Sequence, residues 1–187
     1  MPGIDETRQF VPLKIAVLTV SDTRELADDK SGNTLVERIR AAGHTLAERA
    51  IVKDDVKAIR QRVKAWIADK FIDVVISTGG TGFTGRDVTP EAVEPLFEKR
   101  MDAFATMFLL VSERKIGTSA VQTRAIGGTA NATFIFCLPG SPGACKDAWD
   151  EILVHQLDYR YRPCNFVEIL PRLDEHMRRP KAKGAKA

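Results

Sequence analysis

Two patterns of hydrophobic and polar positions alternate along the chain. Short apolar runs rich in β-branched residues predict strands buried on both faces of a sheet, and apolar residues three or four positions apart predict helices with one buried face. The predicted strands are Lys14–Val20, Thr45–Val52, Val74–Ile76, Gln122–Ile126 and Thr133–Leu138. The predicted helices are Leu35–Ala42, Val56–Ala68, Pro90–Phe97, Met101–Lys115 and Pro142–Leu157. The helix of residues 101–115 is apolar on most sides, so it lies in the core or at a subunit interface, and the core is the favoured interpretation.

Strands and helices that alternate in this order predict an α/β fold. We expect a single domain of three α/β/α layers around a doubly wound, mostly parallel sheet, covering residues 12–171. Residues 1–11 are polar and predict a flexible N-terminus. Ligands of such sheets bind beyond the carboxyl ends of the strands, so residues 21–22, Asp54 and residues 78–89 are predicted to share one rim.

Charge is unevenly distributed along the chain. The 187 residues carry a net charge of +3, but residues 172–187 alone hold six basic and two acidic side chains. This segment has too little apolar surface to fold, so a basic, disordered tail is predicted. The rest of the chain has no basic excess, and its longest apolar run, residues 103–111, is too short to span a bilayer. We therefore expect neither nucleic acid nor a membrane as a partner.

The cysteines bear on the compartment. Cys137, Cys145 and Cys164 have neither metal-ligand spacing nor the even number of a disulfide framework, and no signal peptide is evident. A cytoplasmic protein is therefore predicted.

The most informative stretch follows the third strand. Thr78 leads into Gly79-Gly80-Thr81-Gly82, and Thr89-Pro90-Glu91 then begins a helix, with Thr89 as its expected N-cap. Glycines let the backbone approach a ligand with its N–H groups exposed, and a helix N-terminus adds a favourable dipole. The stretch therefore predicts an anion site. Asp87 lies inside it, where a carboxylate requires a metal ion, a hydroxyl or an amine as its partner.

A second strand-to-helix junction has the same composition. Pro139-Gly140-Ser141-Pro142 follows an apolar strand, and Ser141 is expected to cap the helix that Pro142 begins. An ordinary junction would have the same sequence, but two of them on one rim favour a phosphorylated ligand.

Other catalytic sites fit the sequence less well. G-x-G-x-x-G occurs at residues 80–85, but the helix begins after the last glycine and no strand ends in an acidic residue about 20 residues later, as a dinucleotide site requires. The P-loop pattern is absent, and the three histidines have no nucleophile or acidic partner nearby in sequence. Phosphoryl or nucleotidyl transfer remains, because that chemistry depends on positioning and on Mg²⁺ held by carboxylates.

Three motifs, in this order, resemble a known family. They are Thr78-Gly79-Gly80-Thr81-Gly82, Arg86-Asp87-Val88-Thr89-Pro90-Glu91-Ala92 and Leu138-Pro139-Gly140-Ser141-Pro142. The family is the MoaB/MogA molybdopterin-binding family of molybdenum cofactor biosynthesis, and residues 162–166, Arg-Pro-Cys-Asn-Phe, are similar to the ending of its MoaB type. The resemblance covers residues 12–171 and implies the molybdopterin-binding fold.

The resemblance also implies a reaction and its residues. Related proteins use ATP and Mg²⁺ to adenylylate the terminal phosphate of molybdopterin, and pyrophosphate leaves. By position, Asp54 and Asp87 would be the catalytic carboxylates and would hold Mg²⁺, with Asp55 leaving the register of Asp54 open by one residue. The substrate would be bound by Thr78, Gly79, Gly80, Thr81, Gly82, Arg86, Thr89, Gly140 and Ser141.

Two functions stay open. One is molybdopterin adenylyltransferase, and the alternative is a non-catalytic molybdopterin-binding or assembly protein of the same pathway. They differ in whether Asp54 and Asp87 come close enough to share one bound ligand. The resemblance further implies contacts with other proteins of the pathway and a homo-oligomer, with a hexamer favoured over a trimer.

Overall fold

The computed structural model describes residues 2–177 and alternates strands with helices over most of that length. Its first half consists of β1 (Gly3–Ile4), β2 (Lys14–Val20), α1 (Lys30–Ala41), β3 (Thr45–Val52), α2 (Val56–Ala68), β4 (Val74–Thr78) and α3 (Thr89–Val93). Its second half consists of β5 (Lys99–Arg100), α4 (Asp102–Ile116), β6 (Ile126–Ala130), β7 (Thr133–Leu138), α5 (Pro142–Ala148), α6 (Val154–Gln156), β8 (Tyr161–Arg162) and α7 (Phe166–Ile169).

Six of these strands form the central sheet, in the order β3-β2-β4-β7-β6-β5. The first four are parallel to one another, whereas β6 and β5 are added antiparallel at one edge. Helices α1, α4 and α5 pack on one face of the sheet, and α2 and α3 pack on the other. The predicted α/β class with a mostly parallel, doubly wound sheet is confirmed.

The central strands are apolar throughout because both of their faces are covered. In β2, Ile15 and Val17 point into the cluster beneath α1 and α4, whereas Ala16 and Leu18 point into the cluster beneath α2. Alternate residues of a strand face opposite sides of a sheet, so two apolar faces give a continuous apolar run. This run is the pattern from which the sequence predicted β2, β4 and β7.

The predicted strand Gln122–Ile126 is wrong. Residues 117–122 form a 3₁₀ turn, and the strand begins only at Ile126 and runs to Ala130, through residues that lie between two predicted strands. The glycines fit the strand because aromatic rings lie against it. A Cβ on Gly128 would lie 2.5 Å from the ring of Phe97, so only a glycine fits there.

Helix α4 has a buried face and an exposed apolar face. Phe104, Phe108 and Val111 are buried in the core, whereas Met107 and Leu110 are more than half exposed. The favoured interpretation as a core helix therefore holds for the inner face alone. The helix predicted over residues 142–157 is built from α5, a π-helical turn and α6 in direct succession.

The N-terminal residues contact the end of the domain. β1 pairs antiparallel with β8, and the guanidinium of Arg8 donates to Glu168 at 2.6 Å and lies 4.0 Å from the ring centroid of Tyr159. The sequence predicted a flexible segment here because residues 1–11 are polar. Contacts with residues so far along the chain leave no local pattern in the sequence.

The described part of the predicted tail begins with short turns. Leu173 packs against the core and Arg172 pairs with Glu175, whereas residues 178–187 of that predicted tail lie outside the described residues. Within residues 2–177, no helix has the length and apolar character needed to cross a bilayer.

Candidate functional site

The carboxyl ends of the parallel strands meet at one edge of the sheet, where residues 79–87, here named the glycine loop, follow β4. Gly79 and Gly80 have φ angles of +102° and +62°, a region that glycine adopts without strain. A Cβ on Gly79 would also lie 2.2 Å from the carbonyl oxygen of Val20 at the end of β2. Backbone conformation and close approach therefore both require glycine at position 79.

Thr89 fixes the loop to the next helix in a way that differs from its predicted role. The N-cap position of α3 is Val88, and Thr89 is the first residue of the helix, so the expected side-chain cap by Thr89 is wrong. Its buried hydroxyl instead donates to the carbonyl of Gly79 at 2.8 Å, and its N–H donates to the carbonyl of Gly80 at 2.9 Å. These two bonds fold the loop back onto the start of α3.

The second predicted junction lies directly against the first. Ser141 caps α5 as expected, by accepting from the N–H of Ala144 at 3.2 Å. The hydroxyl of Thr78 donates to the carbonyl of Pro139 at 2.8 Å, and a Cβ on Gly140 would lie 3.2 Å from the Cα of Gly79. The two turns are therefore held together, and the hydroxyl of Thr78 is used in joining them.

A cavity of about 380 Å³ opens between the two turns and the end of α4. Among the predicted site residues, its walls include Gly80, Thr81, Gly82, Asp87, Gly140 and Ser141. Sequence reasoning missed the opposite wall, which includes Phe108, Ser112, Ile116, Ser119, Gln122 and Thr123. These residues follow one another along α4 and the 3₁₀ turn after it. The polar segment of residues 117–119 was the available signal, but only the tertiary fold places it opposite the glycine loop.

Asp87 closes the glycine loop and lines the cavity. Its carboxylate accepts hydrogen bonds from the backbone N–H of Thr84 at 2.8 Å and from the Thr84 hydroxyl at 2.6 Å. These two bonds hold the pKa of Asp87 below its usual value, although burial acts in the opposite direction. The bond from the hydroxyl has the largest effect. Asp87 is therefore an oriented, ionised carboxylate at the wall of the cavity.

Asp54 follows β3 and lies beside the same loop. The carboxylate of Asp55 caps α2 through the N–H of Ala58, whereas that of Asp54 faces Gly80, so Asp54 is the one of the two that lies at the candidate site. A Cβ on Gly80 would lie 2.8 Å from Oδ1 of Asp54, and one on Gly82 would lie 2.8 Å from Oδ2 of Asp87. The two carboxylates therefore flank one short stretch of the glycine loop.

Burial raises the pKa of Asp54, and the negative charges of Asp22 and Asp87 raise it further. Asp22 itself has a cationic partner, since the guanidinium of Arg86 donates to both of its carboxylate oxygens at 2.7 and 2.8 Å. Arg86, predicted as a phosphate ligand, is 67% exposed and contacts this carboxylate across the rim. Asp54 is thus the carboxylate whose charge the surroundings disfavour.

A second cavity, of about 400 Å³, lies at the ends of β2 and β3. Its walls include two acidic residues, Asp22 and Glu25, and three cationic residues, Arg24, Arg49 and Lys53. The backbone N–H of Asp54 donates to Asp22 at 3.3 Å, so Asp54 lies beside this second cavity as well as beside the glycine loop.

The carboxylates near the glycine loop are the candidate ligands for a divalent cation. Within residues 2–177, no group of three or more His, Cys, Asp or Glu side chains is arranged to hold a metal ion. Mg²⁺ is commonly held by one or two carboxylates together with water and substrate phosphates. Asp54 and Asp87 would supply two such carboxylates, because both lie beside residues 80–82 of the glycine loop.

A parallel sheet whose strand ends carry two touching glycine turns and clustered carboxylates defines a doubly wound α/β protein with a candidate anion site. Residues 16–159 match the family model described as a probable molybdopterin binding domain. The chain is also 49% identical over 158 residues to molybdenum cofactor biosynthesis protein B of Escherichia coli K12, covering 84% of this chain and 93% of that protein.

Solved structures show the same similarity. A crystal structure of molybdenum cofactor biosynthesis protein B has a TM-score of 0.78 and 40% identity, with 80% of this chain and 94% of that chain covered. MoaB from Pyrococcus furiosus, described as a tungsten cofactor synthesizing protein, has a TM-score of 0.63 and 34% identity over 76% of this chain and 91% of that chain. The chain belongs to the molybdopterin-binding family of molybdenum cofactor biosynthesis, in its protein B branch, as its motifs indicated.

The raised pKa of Asp54 predicts that replacing this carboxylate with a neutral side chain stabilises the protein at neutral and alkaline pH. Because the folded-state pKa of Asp54 is raised, its cost is fully present above that pKa and disappears as the pH falls to the ordinary carboxyl value of 3.8. Asp54→Asn should therefore unfold at a higher temperature than the unmodified protein near pH 8, and the two should converge towards pH 3.8. The measurement is the midpoint of thermal unfolding against pH.

The matched control is Asp55→Asn, which removes a neighbouring charge and keeps a side chain that caps helices well. It should leave the midpoint nearly unchanged near pH 8. If Asp54→Asn were no more stable than Asp55→Asn at that pH, the charge of Asp54 would not be strained.

Proposed function

We propose that this protein binds molybdopterin in the glycine-loop cavity and adenylylates its terminal phosphate with ATP and Mg²⁺. The observation that carries the proposal is that the carboxylates of Asp54 and Asp87 lie beside neighbouring glycines of one loop, each 2.8 Å from where a Cβ on Gly80 or on Gly82 would stand. A single ligand lying against this backbone would contact both carboxylates. The family membership supports molybdopterin as that ligand.

The proposed reaction needs two substrate sites, and two cavities lie side by side. The cavity walled by Gly80, Gly82 and Ser141 suits the terminal phosphate of molybdopterin, because backbone N–H groups and the start of α5 favour an anion. The cavity at the ends of β2 and β3 would take the triphosphate of ATP, because its three cationic residues outnumber its two acidic ones. Asp54 lies between them, where the two phosphates would meet.

In this arrangement an oxygen of the molybdopterin phosphate attacks the α-phosphorus of ATP. The bond from that phosphorus to the bridging oxygen breaks, and the bridging oxygen leaves with pyrophosphate. Asp54 and Asp87 would hold Mg²⁺, which neutralises charge on the phosphates when bound. The protein contributes mainly by positioning the two substrates in line and by excluding water between them.

The alternative, a non-catalytic molybdopterin-binding or assembly protein, has its own supporting observation. Asp87 already accepts from Thr84, and Arg86 already pairs with Asp22, so both groups have partners without a nucleotide. A scaffold that only binds molybdopterin would need no further ligand at either position.

Pyrophosphate release distinguishes the two functions. With molybdopterin, ATP and Mg²⁺, the unmodified protein should release pyrophosphate, and Asp87→Asn should lower kcat at least about a hundredfold, because a charge needed mainly in the transition state is lost. Molybdopterin affinity, measured by fluorescence titration, should change far less. Asp55→Asn is the control and should remain active. A protein that binds molybdopterin but releases no pyrophosphate would support the binding function and contradict the enzyme.

We also propose that the protein forms a homo-oligomer in the cytoplasm, with a hexamer favoured over a trimer. The support is the exposed apolar face of α4, which continues through Leu109, Leu110 and Val121 around a cleft of about 700 Å³. An apolar surface of this extent is typical of an interface. The free cysteines Cys137 and Cys145 suit a reducing compartment.

Leu110→Glu tests the interface. A charge at the centre of this face should shift the protein towards monomers in sedimentation velocity, because the carboxylate would have to be buried without a partner. Phe71→Glu is the control: Phe71 is as exposed as Leu110, at 58%, but belongs to the segment that precedes β4. An unchanged oligomer in Leu110→Glu, or a monomer in the unmodified protein, would contradict the proposed interface.

A further inference from the structure

One cationic side chain binds the carbonyl oxygens of the glycine loop. Arg124, between the 3₁₀ turn and β6, donates from Nε to the carbonyl of Gly82 at 2.8 Å and to that of Thr81 at 3.3 Å. Its Nη2 donates to the carbonyl of Asp87 at 3.0 Å, and its Nη1 pairs with Glu91 of α3. A single guanidinium therefore joins the start of the loop, the end of the loop and the following helix.

These bonds also decide which way the loop's N–H groups point. In a trans peptide the carbonyl and the following N–H point in opposite directions. Because the carbonyls of Thr81 and Gly82 point to Arg124, the N–H groups of Gly82 and Phe83 point away from it. The N–H of Thr84 donates to the carboxylate of Asp87 at 2.8 Å, so the N–H side of the loop is the side of Asp87.

An arginine is well suited to bind several carbonyl oxygens of the loop at once. Its guanidinium offers five donors in a rigid plane, so one side chain can bind several carbonyls at fixed angles. It is about three-quarters buried and lies 5.3 Å from the ring centroid of Phe83, which covers it on the loop side. A lysine at this position would present one charged nitrogen and could not bridge both ends of the loop at once.

We propose that Arg124 is a positioning residue for the reaction: by binding the carbonyls of residues 81, 82 and 87, it turns the loop's N–H groups and the carboxylate of Asp87 towards the substrate. The catalytic part of this inference rests on the proposed adenylyl transfer. The orientation of the loop can be tested without it.

The first test is hydrogen exchange of the backbone amides of residues 82–87, followed by mass spectrometry on the full-length protein. Arg124→Met should speed exchange in this segment at least about tenfold, because the N–H of Thr84 loses its fixed acceptor, and Arg124→Lys should restore protection only in part. Arg60→Met is the matched control. Arg60 donates to the carbonyls of Glu91 and Ala92 of the same helix but does not contact the glycine loop, so exchange of residues 82–87 should stay unchanged.

The second test is a double-mutant cycle on the rate of pyrophosphate release. If Arg124 acts through Asp87, Arg124→Met should lower kcat more than it raises KM, and Arg124→Met with Asp87→Asn should be no slower than Asp87→Asn alone. Independent roles would instead multiply the two losses and would overturn the proposal. A thermal melt of each variant separates loss of folding from loss of positioning, and Arg124→Lys provides a second folded variant.

The outcomes separate this inference from the proposed function. If the unmodified protein releases no pyrophosphate, the adenylyltransferase proposal fails, and the exchange experiment still tests Arg124. If Arg124→Met is folded and exchanges residues 82–87 like the unmodified protein, Arg124 does not position the loop, whatever the reaction is.

Discussion

The site depends on one close approach of two backbones. Gly79 passes the carbonyl of Val20 at a distance that leaves no room for a Cβ, and only this passage brings the glycine loop across the end of β2. The turn at Gly140 then lies against Gly79, so the strand ends of β4 and β7 form one surface. The cavity between the two turns, with Gly80, Gly82 and Gly140 in its walls, follows from glycines placed where the strands end.

Charge adds a second constraint. Three carboxylates, those of Asp22, Asp54 and Asp87, lie near enough to one another to influence the pKa of Asp54. Arg86 neutralises Asp22, and hydrogen bonds from Thr84 stabilise Asp87, whereas the half-buried Asp54 has its pKa raised by burial and by its acidic neighbours. Carboxylates with a shifted pKa are common in functional sites.

The sequence predicted those features that have a local cause. Buried parallel strands appear as apolar runs, and Ser141 followed by Pro142 marks a helix start, so the sheet and the second junction were found. Thr89 was misassigned because threonine is a common N-cap residue, whereas its hydroxyl here donates to the carbonyl of Gly79. The strand of residues 126–130 was missed because its glycines make room for aromatic rings that are distant in sequence.

The candidate site divides in the same way. Residues of the glycine loop were found because backbone N–H exposure requires glycine, which is visible in any sequence. Arg124 and the polar wall of residues 119–123 were not found, because their position depends on how α4 returns across the sheet. An arginine that binds carbonyls leaves no pattern beyond being an arginine, and the sequence contains many.

The most direct test of the account is the binding of molybdopterin to Gly80→Ala and to Gly85→Ala, measured by fluorescence titration of folded protein. A Cβ on Gly80 would lie 2.5 Å from the hydroxyl of Thr89 and 2.8 Å from Asp54, at a φ angle that alanine adopts only with strain, whereas nothing lies within 4 Å of a Cβ on Gly85. The account predicts that Gly80→Ala weakens binding at least about tenfold and that Gly85→Ala binds like the unmodified protein. Equal binding by all three proteins would show that the ligand does not lie against the glycine loop.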